Sequence, residues 1–165
     1  MFSTKFSALL DPDSIESLAG AVTDVAETSF FAAAERSTAS ESDPLLGAPA
    51  QWLVATVRFE ENDCIGAVSC LMSDELARML FDAFTGRDPN DPAPPAAELF
   101  DLAGEFSNMV CGRWLTQMVK GTTFDLRQPE VCVLPQQPAL DGAPAASLVM
   151  NVNDLPLRVT IRPLD

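Results

Sequence analysis

Asp101, Glu105 and Asn108 are the residues whose types and spacing suit chemistry in this chain. At about 100° per residue they fall, together with Gly112, within roughly a 60° arc of a helix running from Glu98 to Lys120. Leu99, Leu102, Phe106, Met109 and Val110 gather on the other side. Asp101 and Glu105 are paired carboxylates of the kind used in acid–base work, and the Asn108 carboxamide both donates and accepts hydrogen bonds. Gly104 and Gly112 leave bare backbone beside this stripe. A glycine inside a helix costs about 1 kcal/mol against alanine, so two in one helix call for a reason. Two reasons stay open on geometry alone: close approach of a partner to the polar face, or close packing of the helix on a sheet. A narrow polar stripe is also what any solvated helix face shows.

Composition limits what such a stripe could serve. The chain has 165 residues, 47% of them hydrophobic, with ten Phe and two Trp, which is one domain's worth of core; residues 1–165 read as a single domain. Its formal net charge of -14, with ten scattered Lys and Arg, argues against nucleic acid and anionic membrane as partners. The acidity is concentrated N-terminally: residues 1–82 hold fourteen acidic and four basic side chains, residues 83–165 ten and six. There is no histidine, and Cys64, Cys70, Cys111 and Cys132 lack C-x-x-C spacing, which disfavours a zinc site or a histidine-based triad. Each cysteine sits in an apolar run and reads as a small buried hydrophobe. No apolar run is long enough to span a bilayer, and Met1 to Lys5 leads into an acidic segment, so a cytoplasmic location is expected.

The elements that must position the stripe follow from periodicity. Asp13 to Arg36 reads as a first helix, with Pro12 at its entry, Asp13 as cap, and Ile15, Leu18, Ala19, Val22, Val25 and Ala26 at helical spacing. Ser37 to Ala50 is a polar loop. Trp52 to Glu60 and Cys64 to Met72 form a hairpin around Glu61-Asn62-Asp63. Ser73 caps a helix through Phe84 that stops at Gly86. Arg87 to Pro95, with four prolines, is a stiff link into the long helix. Thr122 to Leu126 and Glu130 to Leu134 read as strand interrupted near Pro129, and Pro135 to Ala146 as a loop. Ser147 to Val152 and Leu157 to Ile161 make a second hairpin around Asn153-Asp154, with Pro156 at an edge or outside the ladder. The sum is an α+β fold, an antiparallel β-sheet with helices packed on one face as a two-layer sandwich.

The string from Asp101 through Gly104, Glu105 and Asn108 to Gly112, with Pro129 and an apolar strand after it, resembles the signature of the CheC/CheX/FliY family of response-regulator phosphatases, closest to single-site CheX-like members. The order of elements resembles that family too. Some members carry a second Glu and Asn motif on the first helix; here Glu27 is followed three residues later by Phe30, so one site is expected.

The resemblance implies hydrolysis of the aspartyl phosphate on a receiver domain in chemotaxis or two-component signalling, with Glu105 and Asn108 as the catalytic pair. Asn108 would position the attacking water and Glu105 would reach a lysine of the receiver. Asp101, Gly104 and Gly112 would border the partner. No cofactor of the chain's own is implied, because the phosphorylated receiver carries the Mg2+. CheX-like members pair through sheet edges, so a homodimer is an expectation of the same kind. From a different class, the domain could be a non-catalytic docking or dimerisation module of a chemotaxis or flagellar-switch assembly. An unrelated enzyme built on Asp101 and Glu105 is a third reading.

Overall fold

A computed structural model describes residues 4–38, 43–47, 49–138 and 145–164. In chain order the elements are α1 (Thr4–Ala8), α2 (Pro12–Ser29), β1 (Ala34–Arg36), β2 (Trp52–Glu61), β3 (Cys64–Ser73), α3 (Asp74–Thr85), α4 (Ala96–Met118), β4 (Asp125–Leu126), β5 (Glu130–Leu134), β6 (Ala146–Val152) and β7 (Leu155–Pro163). All strand pairs are antiparallel, in the order β1-β6-β7-β3-β2-β4, with β5 pairing the same edge of β2 as β4, over Trp52–Thr56.

Strict alternation decides what each strand buries. Leu53, Ala55, Val57 and Phe59 of β2, Val68, Cys70 and Met72 of β3, and Leu157, Val159 and Ile161 of β7 share one core with the helices. Their neighbours Trp52, Leu71 and Val149 turn to the opposite face and form a small cluster with Leu45. The architecture is therefore α+β, with the helices on one face of an antiparallel sheet, as expected.

Aromatic contacts tie the helices to one another and to the sheet. Trp114 of α4 is fully buried, meets Phe59 edge-on at 6.1 Å and donates its indole N–H to the Ser14 carbonyl of α2 at 3.1 Å. Phe6 of α1 lies parallel to Phe59 at 6.3 Å. A Cβ on Gly66 would sit 2.5 Å from both rings, so only glycine lets that layer form.

The expected helix stop at Gly86 and cap at Ser73 are both present: Ser73 Oγ accepts from the Leu76 N–H at 3.0 Å, and Gly86 is left-handed at φ 70°. Asn153 and Asp154, at φ 46° and 67°, close the last hairpin. Pro156 pairs with Asn151 of β6 and lies one residue past the end of the β3 ladder, where no N–H is needed.

Several expectations need correction. The first helix ends at Ser29, not Arg36, because Phe31 turns left-handed at φ 52° and the Ala32 N–H closes onto the Ala26 carbonyl at 2.9 Å. Ala34–Arg36 then pairs with β6 as an edge strand. Its cap is Asp11, whose carboxylate accepts from the Ser14 N–H at 2.8 Å, rather than Asp13. α1 was not expected, and the strand over Thr122 to Leu126 shrinks to two residues. Cys132 is exposed, unlike the other three cysteines, because the edge strand β5 turns it to the outer face while Val131 and Val133 pack inward. Of the expected loops over 37–50 and 135–146, residues 39–42, 48 and 139–144 lie outside the described residues, as do residues 1–3 at the N-terminus.

Candidate functional site

α4 crosses the sheet over β2, β3 and β5 and against α2 and α3. Its back, from Leu102 and Ala103 through Phe106, Ser107, Val110 and Cys111 to Trp114, is buried. That leaves the polar stripe outward: Asp101 and Glu105 are exposed and Asn108 is half-buried.

The stripe is one wall of an open groove of about 610 Å3. The opposite wall is the link between β4 and β5, from Leu126 through Arg127 and Gln128 to Pro129. Gly104 is the point where the two walls meet. A Cβ there would stand 3.1 Å from the Cβ of Pro129, closer than packed carbons tolerate without movement. The bare backbone at Gly104 is thus filled by the chain's own proline, which answers the question of why a glycine sits in this helix. Asp101, Gly104, Glu105 and Asn108 line this groove together; Gly112 does not. It faces Leu126, 3.6 Å from where its Cβ would be, and borders a separate depression with Asp24 and Arg113.

Sequence reasoning missed the β4–β5 wall beyond Pro129. The Arg127 N–H donates to the Arg58 carbonyl at 2.9 Å, and its guanidinium donates to Glu60 at 3.2 Å, so the link is pinned to β2. The interruption at Pro129 was the available signal, but nothing in the sequence said that the link folds back over α4.

The carboxylates of the molecule divide by what they hold. Asp24 pairs with Arg113 at 2.8 Å, Glu61 with Lys5 at 2.7 Å and Glu16 with Arg36 at 2.9 Å. Among the described residues the side chains of Asp101, Glu105 and Asn108 make no hydrogen bond or ion pair. Their polar heads are free for something outside the chain. Behind them, burial pushes the Cys70 thiol up to about 11 and holds Cys111 higher still, so neither is a thiolate nucleophile at neutral pH. Among the described residues no group of three or more His, Cys, Asp or Glu could hold a metal ion, and no helix is long and apolar enough to cross a membrane.

A helix-on-sheet domain presenting a free acid and amide stripe is the class that fold and groove define. The family model for the chemotaxis phosphatase CheX matches residues 53–143, more than half of the chain, and the chain belongs to that family. Solved structures share the fold. CheX of Vibrio vulnificus is 16% identical with a TM-score of 0.67, over 92% of this chain and 97% of that one. A CheC-like protein of Shewanella sp. PV-4 is 17% identical with a TM-score of 0.68, over 94% and 99%. The CheX–CheY–BeF3–Mg2+ complex of Borrelia burgdorferi matches at 15% identity and a TM-score of 0.63, over 94% and 100%. Comparison with curated protein sequences gave no match.

Proposed function

We propose that this chain accelerates hydrolysis of the aspartyl phosphate on a receiver domain, with Asn108 and Glu105 as its catalytic pair. The observation that carries the reading is the pair of free polar heads, one helical turn apart, on the wall of an open groove. Membership of the CheX family and the fold shared with a CheX solved together with CheY support it.

The reaction asks little of the helper. A water oxygen forms a new bond to phosphorus, the bond from phosphorus to the acyl oxygen breaks, the aspartate leaves as carboxylate, and the water's proton passes to phosphate or solvent. Charge stabilisation by Mg2+ belongs to the receiver, so placing the water in line is what remains. Asn108 accepts from that water through its carbonyl and donates to it or to a phosphoryl oxygen through its NH2, without adding a negative charge beside the phosphoryl group. Glu105, one turn earlier, pairs with a lysine of the receiver and fixes the helix against it. Asp101 lies one turn further along the same wall and extends the anionic surface. Gly104 serves the partner indirectly, by letting Pro129 close the groove floor. Gly112 lies outside the groove, and its part in docking would require the partner to reach past Asn108. A homodimer would use a sheet edge, either β1 or β5.

The test is phosphate release from phosphorylated receivers of the same genome, with Mg2+, for wild type and Asn108→Ala side by side. Acceleration of one receiver that disappears in the variant is the expected result. Binding of a receiver without faster release would replace catalysis by docking alone.

A further inference from the structure

The ridge made by Asp101 and Glu105 has two flanks. One is the groove with Asn108. The other is a second groove of about 440 Å3 between the end of α3 and α4, which Asp101 and Glu105 also line. Its walls are Phe81, Phe84 and Leu102, and its floor is Phe30, fully buried at the end of α2.

Two aromatics, one in this slot and one next in sequence to its floor, keep large exposed surfaces. Phe84 stacks on Phe30 at 5.2 Å yet remains 52% exposed. Phe31, the next residue after the groove floor, is 76% exposed and sits at φ 52°, a conformation that disfavours side chains with a Cβ. Large apolar side chains exposed among the described residues are Phe31, Leu46 and Phe84, so two of the three adjoin Phe30. Burial and backbone preference do not account for Phe31, and Phe84 keeps half of its surface in solvent beyond its stack on Phe30.

Acids dominate the lining of the slot, although the Arg87 guanidinium lies over the Phe81 ring at 5.7 Å. Glu98, Asp101 and Glu105 are its charged lining residues, and none of the three carboxylates has an ion-pair partner among the described residues. An aromatic slot whose α4 side carries three unpaired carboxylates is complementary to an apolar side chain with lysine or arginine beside it. Because Asp101 and Glu105 belong to both grooves, a protein seated over Asn108 stands directly beside this slot.

We infer that the Phe30–Phe81–Phe84 groove is the docking slot for an apolar side chain, flanked by lysine or arginine, on the same receiver domain that presents its phosphoryl group to Asn108. The inference rests on the phosphatase reading and assigns the two flanks different work. The Asn108 flank acts on the reacting group, and the aromatic flank selects which receiver is held.

The experiment measures the dissociation constant of a BeF3−- and Mg2+-activated receiver, together with KM and kcat for phosphate release, using the whole chain. The receiver is chosen from the same genome as the one that wild-type protein dephosphorylates. Phe84→Ala and, separately, Glu98→Lys are expected to raise the dissociation constant and KM together by about tenfold, with the loss in kcat/KM carried by KM. Asn108→Ala is expected to act on kcat instead. Both docking variants are at the surface, and circular dichroism checks that they fold. A receiver that is dephosphorylated by wild type and bound unchanged by both variants would overturn the slot while leaving the phosphatase reading intact. A genome in which wild type neither binds nor dephosphorylates any receiver would overturn both. A change of mass in light scattering with unchanged receiver binding would assign the slot to a second copy of this chain and likewise overturn the inference.

Discussion

Helices α2 and α4 carry the same spacing of residues and do opposite things with it. On α4, Glu105 is followed three residues later by Asn108, and both heads stand free in a groove. On α2, Glu27 is exposed and Phe30, three residues on, is fully buried, meeting Phe106 of α4 at 5.3 Å and stacking on Phe84. Asp24 on α2 is meanwhile neutralised by Arg113 of α4. Equal spacing therefore does not make equal sites. What separates them is whether the third position is left to solvent or used as core, and whether the acids nearby are already paired.

The severest way to break this comparison is to give α2 the residue that α4 has. Phe30→Asn removes a buried ring and puts an amide among Phe84, Phe106 and Leu102; a loss of about 3–5 kcal/mol of stability is expected, measured by chemical denaturation. No second phosphatase site should appear, because the position faces the core. If the variant instead stayed as stable as wild type and released phosphate faster, burial would not be what distinguishes the helices.

The complementary change comes next in size. If Asn108 aligns the attacking water as proposed, Asn108→Ala lowers kcat for receiver dephosphorylation on the order of 100-fold, with the melting temperature moving by only about a degree or two. An equal loss on mutating an unrelated exposed residue of α4, such as Thr116, would show that the helix face as a whole and not the amide is responsible. Smaller again is Glu105→Gln. If Glu105 makes the proposed charge-assisted bond to a receiver lysine, its loss costs about tenfold in kcat/KM, and raising salt narrows the gap between wild type and variant. A salt-independent gap would mean that Glu105 acts on something other than a cation.

The stripe on α4 was legible because a helical period maps sequence onto faces, and the sheet because Leu157, Val159 and Ile161 alternate so regularly with Arg158, Thr160 and Arg162. What was not legible depends on chain segments meeting from far away. Pro129 closing on Gly104 joins positions 25 residues apart through a turn with no periodic signal. α1 is only five residues long and exists because Phe6 finds Phe59 over Gly66. The end of α2 was misplaced because Ala32 to Arg36 are mostly good helix formers and no glycine marks the stop; Phe31 occupies the left-handed position itself. Pairing with β6, pinned where Ala33 and Asn153 exchange hydrogen bonds at 2.8 and 2.9 Å, overrides local preference there.

That same residue gives the smallest and most discriminating test of why the two helices differ. Phe31→Gly relieves a left-handed conformation and removes a side chain that is 76% exposed, so little packing is lost. The relief, less the extra freedom glycine has in the unfolded chain, should raise stability by about 0.5–1 kcal/mol, read as a higher denaturant midpoint at unchanged slope. Were Phe31 only a helix stop, glycine would be the better residue in every assay. A variant that is more stable but binds its receiver less tightly would show that the end of α2, where Phe30 stands in place of an amide, carries an aromatic for use beside the groove on α4. A variant that is less stable than wild type would show instead that Phe31 contributes packing at the end of α2, and that the conformation there is held for the fold alone.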